Sequence, residues 1–156
     1  MVTIHPLSSA GDARNYQEHS DNYYSKDAGK LYGEWFGKGA ESLGLSGQPM
    51  DFDVFEKILE GKDPAGQQLI KAGGEDQEHR PGWDYTFSMD KSWSVYFAGG
   101  NEVEKAFVEW VQSSSVRDVL KDIQENLVQA RVTTAGKTER INTGNIIAAL
   151  FNHFSA

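Results

Sequence analysis

Cysteine is missing from all 156 residues, so no disulfide framework and no thiolate metal site can form. No apolar run approaches the ~20 residues that would cross a bilayer. The N-terminus also lacks the charged-then-apolar layout of an export signal. These absences together set a cytoplasmic location as the expectation, with no membrane partner. Positive charge is scarce as well. Lys and Arg number 15 against 23 Asp and Glu, a formal net charge of −8. Such a balance keeps a surface soluble and counts against generic nucleic-acid binding, which needs clustered cations to neutralise phosphate. A local basic groove stays open. There is no internal repeat and no low-complexity block, and a 38% hydrophobic content fits one globular domain over 1–156.

The most patterned stretch runs from His79 to Phe97, HRPGWDYTFSMDKSWSVYF. Asp84, Thr86 and Ser88 alternate with Tyr85, Phe87 and Met89, the period of a strand with one buried face. The alternation resumes over Ser92 to Phe97. Two neighbouring strands, Asp84–Met89 and Ser92–Phe97, are therefore predicted at the centre of a sheet. Asp84 stands out, because a carboxylate inside a strand requires a partner. Val2–Leu7 reads as a first strand. A polar segment holding Tyr16, Tyr23 and Tyr24 reads as a short helix plus surface loop, with the tyrosines as lids over the core.

Further along, a short helix is predicted near Ala40–Leu43. Asp51 caps a helix carrying Phe52, Phe55, Ile58 and Leu59, which Gly61 ends. Lys62 to Glu78 reads as loop. Asn101 to Glu104 has the form of a capping box, and the apolar stripe from Val103 to Leu127 predicts a long core helix, bent or broken at Ser113–Ser115. Residues 131–134 and 139–143 flank Ala135-Gly136-Lys137, a hairpin signal. Period alone leaves Ile146–Phe154 open between strand and helix.

Six segments in this order, SAGDARNY, DNYYSKD, GEWFGKGAESLGLSG, ILEG, HRPGWDYTFS followed by KS, and TGNIIAALFNH, resemble the N-terminal part of conjugative relaxases of the F-plasmid type, the relaxase–helicase (MobF) class. The resemblance implies a partial relaxase-like (HUH-type) domain. The expected fold is α+β, a mostly antiparallel sheet with helices on one face and the IIAALF segment as a strand. It also implies a tyrosine that attacks a phosphodiester, leaving a 5′-phosphotyrosyl strand and a free 3′-hydroxyl, beside a divalent metal held by three histidines. A weak phenol nucleophile needs such a Lewis acid and an orienting group. By the resemblance, Tyr16 takes the first tyrosine position, and Tyr23 and Tyr24 the second pair. Asp84 falls on the aspartate that orients a metal histidine, and His153 on the first metal histidine.

The sequence departs from that pattern in several places. Gln17 stands where the family has tyrosine, and Asp90 replaces a proline. The His-Thr-His pair that completes the metal triad does not occur, and His5, His19 and His79 do not reproduce its spacing. Two expectations follow. The first is a non-catalytic, relaxase-derived protein of a mobile element, needing no cofactor. It would occupy a basic, nucleic-acid-handling protein such as a defence nuclease, in the manner of anti-CRISPR inhibitors. The second is a relaxase module that binds or nicks single-stranded plasmid DNA, with Mg or Mn held partly by ligands from elsewhere. Lys26, Arg80, Lys91 and Arg131 are the candidate DNA or partner contacts, and an open sheet edge would allow a homodimer. Enzymatic activity stays open between the two, the missing pair favouring the first.

Overall fold

The computed structural model describes residues 1–24, 33–70 and 80–152, with backbone alone at 19–24. The order is β1 (Val2–Pro6), α1 (Ala10–Tyr24), β2 (Gly33–Phe36), α2 (Lys38–Ser42), α3 (Phe52–Leu59), β3 (Trp83–Phe87), α4 (Lys91–Gly99) and α5 (Glu102–Asp122). A π-helical turn, Ile123–Leu127, then leads to β4 (Gln129–Thr134), β5 (Lys137–Asn142) and β6 (Ala148–Phe151). The class is α+β and the strands are antiparallel, as expected. The described strands form three two-stranded sheets, β1 with β3, β2 with β6 and β4 with β5.

The core gathers where β2, β6 and α3 meet. Asp51 caps α3 as its sequence predicts, its carboxylate accepting from the amides of Asp53 at 2.8 Å and Val54 at 3.3 Å. Capping fixes the helix phase, so Phe52, Phe55 and Ile58 face the strands. Phe55 packs edge-on against Phe151 at 5.5 Å and beside Trp35 at 6.5 Å, while Phe52 stacks on Phe151 at 6.3 Å. Such ring pairs contribute about 0.5–1.5 kcal/mol each beyond their buried area. The glycines of GEWFGKGAE let backbone approach backbone. Gly37 has φ +105°, and a Cβ there would strike the Ile146 carbonyl. The Gly39 amide donates to that same carbonyl at 3.0 Å, tying α2 to the approach of β6. Buried Gln124 accepts from the Lys38 amide at 2.8 Å, which fastens the end of the long helix to the same cluster.

Three expectations are corrected. Ser92–Phe97 is helix, not strand. Asp90 caps α4, accepting from the Ser92 amide at 2.9 Å and its hydroxyl at 2.6 Å. Trp93 and Tyr96, one helical turn apart, then meet edge-to-face at 6.2 Å. Alternation over six residues cannot separate these states once a cap intervenes. β3 instead pairs with the N-terminal β1.

Secondly, the capping box at Asn101 and Glu104 is present, but α5 is not broken at the serines and runs on to Asp122. Ser115 bonds back to the Val111 carbonyl at 2.8 Å, and the irregular turn falls later, at Ile123–Leu127.

Thirdly, the α5 stripe is core only in part. Val108 and Leu120 are buried, yet Val103, Phe107 and Trp110 are 79%, 50% and 65% exposed. Amphipathicity shows that a face is apolar; it does not show what covers that face. In the polar segment, the helix is longer than expected and reaches Tyr24.

Candidate functional site

The β1–β3 ribbon is sorted chemically. Its register sets Val2 opposite Phe87, Thr3 opposite Thr86, Ile4 opposite Tyr85, His5 opposite Asp84 and Pro6 opposite Trp83. Directly opposed residues share a face. One face therefore presents Thr3, His5, Asp84 and Thr86, and the other presents only apolar and aromatic side chains. Asp84 lies in a strand as predicted, and it is exposed. It makes no ion pair with Arg80 or Lys91, the two basic partners considered for it. The Arg80 guanidinium lies 5.1 Å over the Trp83 ring, and Lys91 opens α4. His5, set aside on sequence spacing, is the imidazole that the register brings opposite Asp84. His153 lies outside the described residues, as do Lys26, His79 and the side chain of His19.

Tyr16 projects from α1 and is 64% exposed, so it is not packed as a lid over the core. Tyr23 and Tyr24 end the same helix, and their side chains are outside the described residues. Arg14 holds this helix in place. Its guanidinium meets Glu56 at 2.7 Å, Asp53 at 2.7 Å and Glu18 at 3.4 Å. Hydrogen bonding to Glu56 is the main cause that raises the Arg14 pKa, opposed by desolvation. Sequence reasoning passed over Arg14, since a lone arginine on a polar helix gives no signal until α3 lies beside it. The Asp90 carboxyl is held below its ordinary range by the Ser92 hydroxyl and amide. The Tyr96 phenol is pushed up, first by desolvation and then by Glu104, which makes it a poorer nucleophile than an ordinary tyrosine.

A second sorted surface is the β4–β5 ribbon. Arg131 faces Arg140 directly, Gln129 faces Asn142, and Thr133 faces Thr138, the two hydroxyls 2.9 Å apart. This face carries guanidinium, amide and hydroxyl groups and no carboxylate. The other face takes Val132 and Ile141 together with the Lys137–Glu139 ion pair, 2.7 Å. Ala135 at φ 52° and Gly136 at φ 77° make the tight turn. Opposed like charges destabilise a strand pair unless an anion lies between them. Arg131 is thus joined by Arg140, which the sequence reading omitted. No described contact joins Arg80, Lys91 and Arg131 into one groove.

The TrwC relaxase family model matches residues 10–156. The chain belongs to the TrwC relaxase family. It is 40% identical over 153 residues to the multifunctional conjugation protein TraI of Escherichia coli strain K12, covering 98% of this chain and 8% of TraI. Among solved structures, the conjugative relaxase TrwC in complex with oriT DNA, metal-bound, is similar with a TM-score of 0.74 at 31% identity. A copper-bound TrwC complex gives 0.75 at 35%. The match spans 98% of this chain and about half of each TrwC chain, 50% and 51%. These relatives are conjugation proteins, which favours the DNA-handling expectation over the defence-inhibitor one.

Relaxases of this family are seen with metal, so the donor set of this chain bears on its chemistry. Among the described residues, no group of three or more His, Asp or Glu side chains is placed to hold a metal ion. His5 and Asp84 supply one imidazole and one carboxylate, short of the closed donor set a divalent ion needs. The described residues alone do not fit the family's metal. Nor, among them, is any helix long and apolar enough to cross a membrane.

Proposed function

We propose that this chain is the tyrosine-bearing portion of a conjugative relaxase, acting on single-stranded DNA at a transfer origin. The observation that carries the reading is its likeness, over 98% of its length, to relaxase chains solved with oriT DNA. Tyr16, exposed on a helix anchored by Arg14, is the nucleophile. Its phenol oxygen attacks the phosphorus, the bond to the 3′ oxygen breaks, and the phenolic proton is carried to the departing oxygen. Tyr23 and Tyr24 are further nucleophile positions. Asp84 orients an imidazole on the polar face of the β1–β3 ribbon, with His153 the inherited metal-ligand position. Mg or Mn, with further ligands from outside the described residues, would polarise the phosphate.

The basic face of the β4–β5 ribbon is the DNA contact that offsets an otherwise acidic chain. A two-stranded ribbon fits the major groove of a folded-back strand, and a face of donors without carboxylates meets phosphate and base edges without repulsion. Arg80 and Lys91 are secondary contacts.

The test is a labelled transfer-origin oligonucleotide incubated with the chain and Mn²⁺ or Mg²⁺, followed by denaturing electrophoresis and mass spectrometry. A covalent DNA adduct that is lost in Tyr16→Phe is expected. Binding without any adduct would move the chain to the non-catalytic reading, and failure to bind at low salt would end the DNA reading.

A further inference from the structure

Gln124 is the one buried polar side chain among the described residues, and a buried amide has to be hydrogen-bonded. Its Oε1 accepts from the Lys38 amide at 2.8 Å, across 86 residues of sequence. Lys38 opens α2, and the first amides of a helix lack intrahelical partners. A side chain at the N-cap ordinarily supplies the acceptor. Here the N-cap is Gly37, which has no side chain to offer, and a Cβ there would strike the Ile146 carbonyl. Gln124 caps α2 in its place.

The turn that carries Gln124 is π-helical, closed by the Val128 amide donating to the Ile123 carbonyl at 3.1 Å. Such a turn holds one residue more than an α-helical turn, so the chain beyond it is rotated by about 100°. The chain beyond it is β4. The far end of the ribbon comes back to the same turn. The Asn142 amide donates to the Glu125 carbonyl at 3.0 Å, and the Thr143 backbone donates to the Val128 carbonyl at 3.0 Å. The Asn142 side-chain oxygen accepts from the Gly144 amide at 3.0 Å, so that side chain is engaged at both its nitrogen and its oxygen. Among the described strands, β4 and β5 pair only with one another, and a lone two-stranded ribbon has little else to hold its direction.

We propose that Gln124 and Asn142 are positioning residues, which make the π-helical turn a clamp that fixes where Arg131 and Arg140 point relative to the helix carrying Tyr16. The contacts run without a gap from one to the other. Gln124 holds the start of α2, and the Gly39 amide of α2 holds the Ile146 carbonyl at 3.0 Å, on the approach to β6. Phe151 of β6 packs on Phe55 of α3, and α3 is gripped from α1 by Arg14. The clamp stands on this geometry alone, and its bearing on DNA rests on the ribbon contact proposed above.

The test uses the lack of native cysteine, which lets two spin labels be placed through Thr134→Cys near the ribbon tip and Glu41→Cys on α2, both exposed positions. Pulsed electron paramagnetic resonance then reads the distance between ribbon and core. A single narrow distribution is expected for the labelled parent. Gln124→Met and Asn142→Ala, each checked for folding by circular dichroism, should broaden it about twofold. Thr133→Val, which removes a hydroxyl pair within the ribbon, should leave it narrow. Asn142 is exposed, so Asn142→Ala decides the matter if Gln124→Met does not fold. A parent distribution already broad, no broadening in the folded variants, or equal broadening in Thr133→Val would overturn the clamp. With a labelled transfer-origin oligonucleotide, the same variants should keep the parent's salt slope, because Arg131 and Arg140 remain, and form the Tyr16 adduct about 10-fold more slowly. A broadened distribution with the parent's rate of adduct formation would overturn the positioning role. A parent that neither binds nor forms an adduct sinks the proposed function, while the distance measurement still decides the clamp, so the two fail separately.

Discussion

His5 and Asp84 are directly opposed in the β1–β3 ladder, so an imidazole and a carboxylate share the one polar face of an otherwise apolar ribbon. Among the described residues, neither side chain makes an ion pair or hydrogen bond. Asp84→Asn preserves size and removes the charge that, in the proposed function, orients an imidazole. Outer-shell changes of this kind typically cost about 10–100-fold in activity or metal affinity. The expected outcome is a loss of that order in single-turnover nicking, with oligonucleotide affinity held within a few fold. Equal losses in both would assign Asp84 to DNA binding instead.

Arg131 and Arg140 make a different prediction, because their proposed contact is with phosphate rather than with the reacting groups. Replacing either with Ala should weaken DNA binding for all sequences and lower the salt slope by about 1. Fluorescence anisotropy over a salt series measures both. The Arg131→Ala chain should also fold at least as firmly as the parent, since a like-charge opposition is relieved.

These two surfaces show what a sequence displays and what it withholds. Asp51, Gly61, Asn101 and Glu104 act through residues within four positions of themselves, and the chain wrote those signals where they are used. The turn at Ala135-Gly136 is equally local. Asp90 was legible as a departure from the family but not as a cap, because the alternation of Ser92–Phe97 drew the eye to a strand. Pairing was not legible. His5 meets Asp84, and Arg14 meets Glu56, only after distant elements come together. The α5 stripe misled for the same reason, its periodicity being blind to the absence of a cover. Asp84 stood out as a carboxylate inside a strand, the roles expected of it and of the tyrosines came through resemblance, and composition would have hidden the basic ribbon inside a net charge of −8.

The gathering of the main core cluster around Phe55 has its own test. Phe55 is 7% exposed and touches Trp35, Phe52 and Phe151. Phe55→Ala should cost about 3–5 kcal/mol, read as a large fall in the denaturant midpoint. Phe107→Ala on exposed α5 should change the midpoint little in the isolated chain. A reversal of the two would move the core to the long helix.

Asp90 gives the pH dependence. Its folded pKa lies below the ordinary carboxyl value, chiefly through the Ser92 hydroxyl and then the Ser92 amide. The stabilisation it contributes is therefore fully present above the unfolded carboxyl range and is lost as pH falls through the depressed folded value. Helicity followed by circular dichroism on acidification should therefore fall further in the parent than in an Asp90→Asn chain, each taken relative to its own neutral-pH value. Superimposable acid limbs would remove Asp90 as an electrostatic cap.

Arg14 joins stability to function. It reaches Glu56 and Asp53 on α3 while lying two residues before Tyr16 on α1. Removing it leaves Glu56 and Asp53 facing one another without that cation, and frees the helix that carries Tyr16. Arg14→Gln should lower the melting temperature and reduce the rate of adduct formation while leaving DNA affinity almost unchanged, since the arginine is committed to carboxylates. Arg14→Lys supplies charge without the forked geometry that engages two carboxylates at once, and should restore only part of both losses. If Arg14→Lys recovers the melting temperature fully yet leaves the rate depressed, fork geometry, and not charge alone, sets the position of Tyr16.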